Sequence, residues 1–561
     1  MTMKWWGWGS PDFEFPMAEK PGLWPWIAKT LAVPQQPPAP PVPRSAITLP
    51  APRRNEAFCA AAAGLSFDED QRLAHSYGKS YPDLFNARRG LIRRAPDAVA
   101  FPTSHAEVEA LVKLATTHGV CLIPFGGGTN IVGGVNPRDF DGMIVTVSLA
   151  RMNRLLSIDE YSGTAVIEAG ALGPKLEADL QAKGFSLGHY PDSFEYSTLG
   201  GWIATRSAGM QSDACGKIED MVVALKMVTP SGTIVTRPTP ASSAGPDLNR
   251  LMAGSEGALG IITECTMRVH RAPAVKDYRG FLFPSFKEGY AAIYETVSTG
   301  VRPSLIRLQD EFETELAFNM KTPKTGLTGF FQRQMKKYLK ARGYGRPALM
   351  IVGVEGEAGF VSARGKAVRA ILKKHRGFDL GQSVGKSWSK DKFNLPYLRD
   401  YVMDRRCMVD VAETATVWGN VMSLHDAVVA AMTEKFDAEG TPGFIGCHIS
   451  HTYSPGACLY FTYACRQQPG RELEQYYSFK KFITELFLAN GATLTHHHAV
   501  GTEHRPWMER EVSRTGVQAL RALKASLDPD ALMNPGKLIP PEGDAMAGWA
   551  QQTIPAAEAL K

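Results

Sequence analysis

No stretch of this sequence approaches the roughly 18 consecutive apolar residues that a membrane-crossing helix needs, so no spanning segment is expected. Its eight cysteines contain no Cys-x-x-Cys and no paired spacing, which excludes a disulfide framework and a zinc ribbon. Charge of one sign is scarce: 62 Lys+Arg against 56 Asp+Glu leave only +6, too weak an excess to point to nucleic acid, and none is expected as a partner. The start, Met1-Thr2-Met3-Lys4-Trp5, lacks a basic region leading into an apolar core, which argues against secretion. No Gly-x-Gly-x-x-Gly opens a helix, so a Rossmann dinucleotide site is disfavoured. Gly385-Lys386-Ser387 imitates the end of a P-loop, but Leu380 stands where the first glycine belongs. Nor is there a peroxisomal address, since Ala559-Leu560-Lys561 is not Ser-Lys-Leu. With 561 residues, 44% hydrophobic and 21% charged, what is left is a large intracellular enzyme or a large scaffold.

What is present begins with tryptophan. Residues 1–93 form a lead-in that carries Trp5, Trp6, Trp8, Trp24 and Trp26, followed by a stiff proline-rich spacer, Pro34 to Pro43. Such a segment either packs on the body through its aromatics or touches a membrane with them. From 94 to 273 strands and helices alternate. Ser104-His105-Ala106-Glu107 is a capping box, and Val108, Leu111, Val112 and Ala115 follow at helical spacing. Cys121–Pro124, Ile144–Val147, Ala165–Glu168 and Gly260–Val269 read as strands, Pro174–Ala182 as a helix, and Met221–Val235 as a hairpin turning at Pro230-Ser231-Gly232. This is a mixed α+β domain. Residues 274–480 read as a second α+β domain rich in helix. Within it Phe331, Met335 and Tyr338 share one face of a basic helix that is either a solvated surface element or a membrane-lying one. The helix Tyr476–Leu488 straddles the boundary into 481–540, which carries a histidine run, and 541–561 form a tail.

The strongest local signal is Pro124-Phe125-Gly126-Gly127-Gly128-Thr129-Asn130 after a strand. Consecutive glycines let backbone N–H groups turn toward an anion with no Cβ in the way. Further glycine- and hydroxyl-rich turns follow between apolar stretches: Asp192-Ser193 to Ser197-Thr198, Thr205-Arg206-Ser207-Ala208, Gly216 to Asp220, and Glu256-Gly257-Ala258-Leu259-Gly260-Ile261-Ile262. Together they could form a wall of donors around an extended diphosphate.

The order of these turns resembles the flavoprotein domain of the vanillyl-alcohol oxidase superfamily. That likeness implies an α+β fold: a two-lobed FAD-binding (PCMH-type) domain plus a second α+β substrate (cap) domain, with the histidine-bearing 481–540 returning to the flavin. FAD would be bound non-covalently. Pro124–Asn130 and Asp192–Thr198 would contact the diphosphate and its surroundings, and Thr205–Ala208 and Glu256–Ile262 would complete the flavin site. Outside that domain, Lys4 to Gly9, Gly188 to Ser193, Gly456 to Phe461 and Thr495 to Gly501 are similar to the alkyldihydroxyacetonephosphate synthase family, the ether-lipid-forming branch.

Each site candidate also has its own chemistry. Three adjacent histidines cannot all point one way on a strand, so at most two of His496, His497 and His498 would face a site, where imidazole moves protons or stabilises an oxyanion. The other readings are a metal site or an exposed loop. A metal would want a carboxylate or cysteine close by, Glu503 is the only near one, and no metal is expected. Tyr460 and Thr462 share a strand face. Tyr460 there is a core aromatic on its own merits and an acid/base group beside the flavin by resemblance. Arg399 is a surface ion pair with Asp400, or the fork that grips a substrate phosphate, as the resemblance implies. Arg307 matches another family arginine and could support the site. His189 precedes the second FAD turn and could approach the flavin.

The implied reaction exchanges the acyl chain of 1-acyl-dihydroxyacetone phosphate for a long-chain fatty alcohol, with FAD used redox-neutrally as a covalent handle. A true FAD-dependent oxidase or dehydrogenase of a hydroxy acid or phenolic alcohol is the alternative, and a non-catalytic binding module a third. A cytoplasmic bacterial homodimer touching a membrane peripherally is the expected setting.

Overall fold

The computed structural model describes residues 3–138, 140–321 and 326–550. The C-terminal tripeptide considered above lies outside them, as does the side chain of Phe331.

The first lobe is built on a four-stranded sheet in the order Leu65–Ser66, Ala98–Ala100, Ile144–Ser148, Cys121–Phe125, whose last three strands are parallel. Parallel pairing requires a crossover, and the helix His105–His118 supplies it between Ala98–Ala100 and Cys121–Phe125. That helix starts where the Ser104 hydroxyl accepts the Glu107 N–H and stops at Gly119, whose φ of +64° only glycine adopts freely. Its buried stripe of Val108, Leu111, Val112 and Ala115 enters one core with strand residues of both lobes. The second lobe is a five-stranded antiparallel sheet: Leu155–Asp159, Thr164–Glu168, Ile261–Arg268, Val222–Thr229, Gly232–Val235.

The second half of the chain builds a seven-stranded antiparallel sheet in the order 378–381, 275–283, 348–356, 305–309, 443–452, 456–466, 407–417. Alternation along a strand sends successive side chains to opposite faces. Cys447, Ile449, Leu459, Phe461 and Tyr463 therefore join the main core, together with residues of the helices Phe286–Ser298, Ala358–Lys374, Val421–Ala438 and Glu472–Ala489. The residues between them, His448, Tyr460, Thr462 and Ala464, face a cavity on the other side.

Two long-range returns complete the body. Residues 532–534 add to the open edge of the first sheet, where the Leu122 N–H donates to the Leu532 carbonyl and the Asn534 N–H to the Leu122 carbonyl, both at 2.9 Å. At the other end, Trp8, Leu23, Ile27 and Leu31 share a core with Leu398, Val402 and Ala464. Trp24 packs edge-on to Tyr401 and Trp26 against Phe312, so the tryptophan-rich segment lies packed on the body. All eight cysteines are free. No helix among the described residues is long and apolar enough to cross a membrane.

Candidate functional site

One elongated cavity runs from the glycine turns of the two-lobed half to the open face of the seven-stranded sheet. Pro124–Asn130 leave the end of the strand Cys121–Phe125 and line its first wall. The glycines are there because a second turn presses on them. A Cβ on Gly127 would sit 1.6 Å from the Tyr196 carbonyl oxygen, and one on Gly126 would sit 2.3 Å from Thr198 Oγ1. The N–H groups of Gly127, Gly128 and Thr129 donate to no described residue. Asp192, Ser193, Ser197 and Thr198 line the same wall, Thr198 also capping the helix Leu199–Ala204. Thr205, Ser207, Ala208, Glu256, Gly257, Gly260 and Ile262 continue it. Glu256, at φ +50°, accepts the N–H groups of Val500 and Gly501 at 2.8 and 2.7 Å, and burial pushes its carboxyl up to about 7. Free backbone donors, hydroxyls and an elongated cavity fit the diphosphate and ring system of FAD.

Four of the expected cofactor contacts sit elsewhere. Arg206 turns away to Glu219 at 3.3 Å with half its side chain exposed. Ala258, Leu259 and Ile261 are buried in the protein, not in the cavity wall. His189 is fully buried behind the wall, 3.2 Å from Ser207 Oγ and 4.9 Å from the Trp202 ring. Burial, with Lys217 and His497 nearby, pushes its imidazole down to about 3, so it is neutral at ordinary pH.

At the other end, neighbouring strands set His448, Tyr460 and Glu413 side by side, since Tyr460 pairs with His448 on one flank and Glu413 on the other. The Tyr460 ring, 9% exposed, stacks on His448 at 4.8 Å and on His497 at 5.8 Å, with His498 edge-on at 5.4 Å. Burial, reinforced by Asp192 and Glu413, raises its phenol well above the usual value, so it carries a proton to give. His448 shares a 2.8 Å contact with Glu313 and stands beside Arg307.

Glu413 organises the histidine turn. It accepts hydrogen bonds from Thr495 Oγ1 at 2.6 Å and from the N–H groups of His496, His497 and His498 at 2.7, 3.1 and 2.9 Å. Burial opposes its ionisation, but the neighbouring His497 and His498 and those donors hold it well below the usual carboxylate range. His497 and His498 line the cavity, whereas His496 turns behind it, its Nε2 against the Tyr453 hydroxyl. Burial lowers the imidazoles of His496 and His498 well below the ordinary value.

The expectation that Glu503 is the acid nearest these histidines is corrected. Glu503 pairs with Lys480 at 3.0 Å, while Glu413 and Cys458 gather with His496 and His497 within 4.8 Å. Both oxygens of Glu413 accept hydrogen bonds from the turn, and burial raises the Cys458 thiol well above its usual range. Nothing in the linear order marks Glu413, more than 80 residues from the turn it holds; only its place beside Tyr460 on the next strand does.

Arg399 is the buried cation of the cavity. Its Nη1 donates to the Lys79 carbonyl at 2.8 Å, while Nε and Nη2 have no partner. Burial lowers its guanidinium, opposed by Asp400. It makes no surface ion pair. Beyond it the cavity is apolar, walled by Ile27, Leu316, Val402, Phe444 and Ala464.

Residues 96–237 match the family profile described as an FAD binding domain, and residues 272–538 that of FAD linked oxidases, C-terminal domain. Fold and cavity thus define a two-lobed FAD flavoprotein of the vanillyl-alcohol oxidase class with a second, substrate-facing α+β domain. The chain is 43% identical over 479 residues to alkyldihydroxyacetonephosphate synthase of Dictyostelium discoideum, covering 85% of this chain and 78% of the relative. It is 40% identical over 481 residues to the enzyme of that name from Trypanosoma brucei brucei, with the same coverage. A solved alkyldihydroxyacetonephosphate synthase superposes with a TM-score of 0.84 at 36% identity, covering 96% of this chain and 99% of the other. The chain belongs to the alkyldihydroxyacetonephosphate synthase family.

Proposed function

We propose that this protein is an FAD-dependent transferase that replaces the acyl chain of 1-acyl-dihydroxyacetone phosphate by a long-chain fatty alcohol. The products are 1-alkyl-dihydroxyacetone phosphate and a fatty acid. The bond between C1 and the ester oxygen breaks, a bond from C1 to the alcohol oxygen forms, and the alcohol's proton leaves, with no net change of redox state. When bound, FAD in its reduced form would supply an electron-rich, nucleophilic ring. The observation that carries the reading is Arg399: a guanidinium whose Nε and Nη2 are buried and unpartnered, in one cavity with Tyr460, His497 and His498. A phosphate dianion matches that fork, and anchoring it there holds C1 away from the cation and toward the phenol.

The chain's own residues have separable tasks. Arg399 binds the phosphate, and the apolar stretch from Ile27 to Phe444 accepts one lipid chain while excluding water. Tyr460 gives a proton to the departing carboxylate or takes one from the arriving alcohol. His497 and His498, held by Glu413, relay that proton and stabilise negative charge on oxygen. Arg307, beside His448, supports the wall opposite the glycine turns. His189 and His496, both behind the cavity surface, act through Ser207 and Tyr453.

Peripheral membrane contact is part of the reading, because both lipid substrates reside in bilayers. Its support is the helix Gly326–Ala341, where Phe330, Met335 and Tyr338 are about half exposed among Arg333, Lys336, Lys337 and Lys340. The homodimer, also part of the reading, rests on the resemblance alone.

The test incubates FAD-loaded protein with palmitoyl-dihydroxyacetone phosphate and labelled hexadecanol. Ether-linked label without oxygen uptake is expected. Flavin bleaching and peroxide from a hydroxy acid, with no ether product, would establish the oxidase instead.

A further inference from the structure

The segment before residue 10 is wedged into the wall of the cavity at the helix that carries Arg399. Trp8 lines the cavity and is 4% exposed. Its backbone N–H donates to Asp400 Oδ2 at 2.8 Å, one residue from the guanidinium-bearing Arg399. The flanking glycines permit this closeness. A Cβ on Gly7 would lie 2.2 Å from Asp400 Oδ2, and one on Gly9, at φ +88°, would lie 2.1 Å from the Tyr397 ring. The helix Leu395–Met403 thus seats the loop along one turn, through Tyr397 and Asp400.

Lys79 clamps both partners. Its buried ammonium donates to the Lys4 carbonyl at 2.5 Å, and its own carbonyl accepts from Arg399 Nη1 at 2.8 Å. The loop is further closed by the Lys4 N–H to the Gly9 carbonyl at 2.8 Å, and by Ser10 N–H on the Tyr196 hydroxyl at 3.0 Å. Tyr196 belongs to the turn that presses on the glycine loop, so the same hydroxyl ties this segment to the diphosphate wall.

In this tightly bonded arrangement three buried donor atoms and one buried acceptor, Asp400 Oδ1, are left over. The indole Nε1 of Trp8 is buried and has no acceptor, as are Nε and Nη2 of Arg399. A buried N–H without an acceptor is costly, and a residue selected only for packing needs no indole nitrogen. Arg399 and the buried Lys79 bring positive charge to this region, with Asp400 acting on both, Asp83 on Lys79 and Asp410 on Arg399.

Resting on the phosphate reading of Arg399, we propose that Trp8 is a substrate-binding residue. Its indole N–H donates to a phosphate oxygen of the substrate, and residues 4–10 form one wall of the phosphate site. The phosphate supplies acceptors for the unpartnered donors of Trp8 and Arg399. The tryptophan-rich segment is then part of the active site.

The experiment uses FAD-loaded protein labelled with 15N in its indoles, the Trp8 resonance being the one missing from Trp8→Phe. Dihydroxyacetone phosphate should move that resonance, and dihydroxyacetone, which lacks the phosphate, should not. By calorimetry Trp8→Phe should bind dihydroxyacetone phosphate about tenfold more weakly, the weight of one hydrogen bond to a charged acceptor. Arg399→Lys should also weaken it. A Trp8 resonance unmoved by saturating dihydroxyacetone phosphate overturns the proposal even if Trp8→Phe folds poorly. If Arg399→Lys loses affinity and Trp8→Phe does not, only the Trp8 assignment fails. If neither variant loses affinity, the Arg399 reading fails with it.

Discussion

Tyr460 and Glu413 lie opposite each other on adjacent strands, yet burial acts on them in opposite chemical directions. The phenol has no cation close enough to offset burial and keeps its proton; the carboxylate is given four donors and loses its own. A proton donor and a fixed anion are thereby set on either side of the histidine turn. Tyr460→Phe should leave the flavin absorption and the FAD content of the purified protein unchanged while lowering turnover by about a hundredfold or more, the range for losing a general acid. Near-normal turnover would remove Tyr460 from the proton path. Glu413→Gln replaces one acceptor oxygen by an NH2 group facing backbone donors. We expect it to cut kcat at least tenfold with little change in KM; a KM effect alone would make Glu413 a support of the binding wall only.

At the scale of elements, the cavity exists because turns from distant strands meet without side chains between them. Gly127→Ala puts a methyl group 1.6 Å from the Tyr196 carbonyl. The two turns must part, and the protein should purify without yellow colour while its far-ultraviolet circular dichroism stays close to that of the parent. Asp213 ties the helix Ser212–Cys215 to the seven-stranded sheet by accepting the N–H groups of Thr452 at 2.8 Å and Ile306 at 3.3 Å. Burial pushes its carboxyl from the ordinary 3.8 up to about 7. The folded state therefore holds the proton more tightly than the unfolded chain does. Its stabilising contribution is full below about pH 4 and disappears as pH rises through about 7. Asp213→Asn does not titrate, so its Tm should fall less than that of the parent between pH 5 and pH 8. An unchanged difference between those pH values would show that Asp213 ionises normally.

For the whole molecule, two substrates with long chains must reach a cavity lined by chain segments far apart in sequence. Replacing Phe330, Met335 and Tyr338 together by serine should reduce co-sedimentation with anionic vesicles while leaving FAD content unchanged. Unaltered sedimentation would place membrane contact on another surface.

Much of this organisation is legible in residue order, because it depends on neighbours a few positions apart. The Ser104 cap, the strands at Cys121–Phe125 and Ile144–Ser148, the hairpin at Gly232 and the shared face of Tyr460 and Thr462 follow from local spacing, and the structure has each of them. The restriction of three adjacent histidines to two facing side chains also holds, with His497 and His498 on the cavity and His496 behind it. Along Glu256–Ile262, by contrast, a glycine-rich turn has no regular period from which to tell Leu259 and Ile261, in the core, from Gly260 and Ile262, on the cavity.

Glu413, Lys79 and Trp8 have no such signature. Each meets its partner across more than 80 or 300 residues, through hydrogen bonds whose existence depends on strand order and on where the chain ends dock. Period and turn chemistry are properties of consecutive residues, so spacing alone marks the glycine turns and several strands and helices of residues 94–273, but not the seven-stranded sheet that follows. Which carboxylate restrains the histidines, and which loop docks on the helix of Arg399, are consequences of close packing between remote segments, where distance along the chain carries no information.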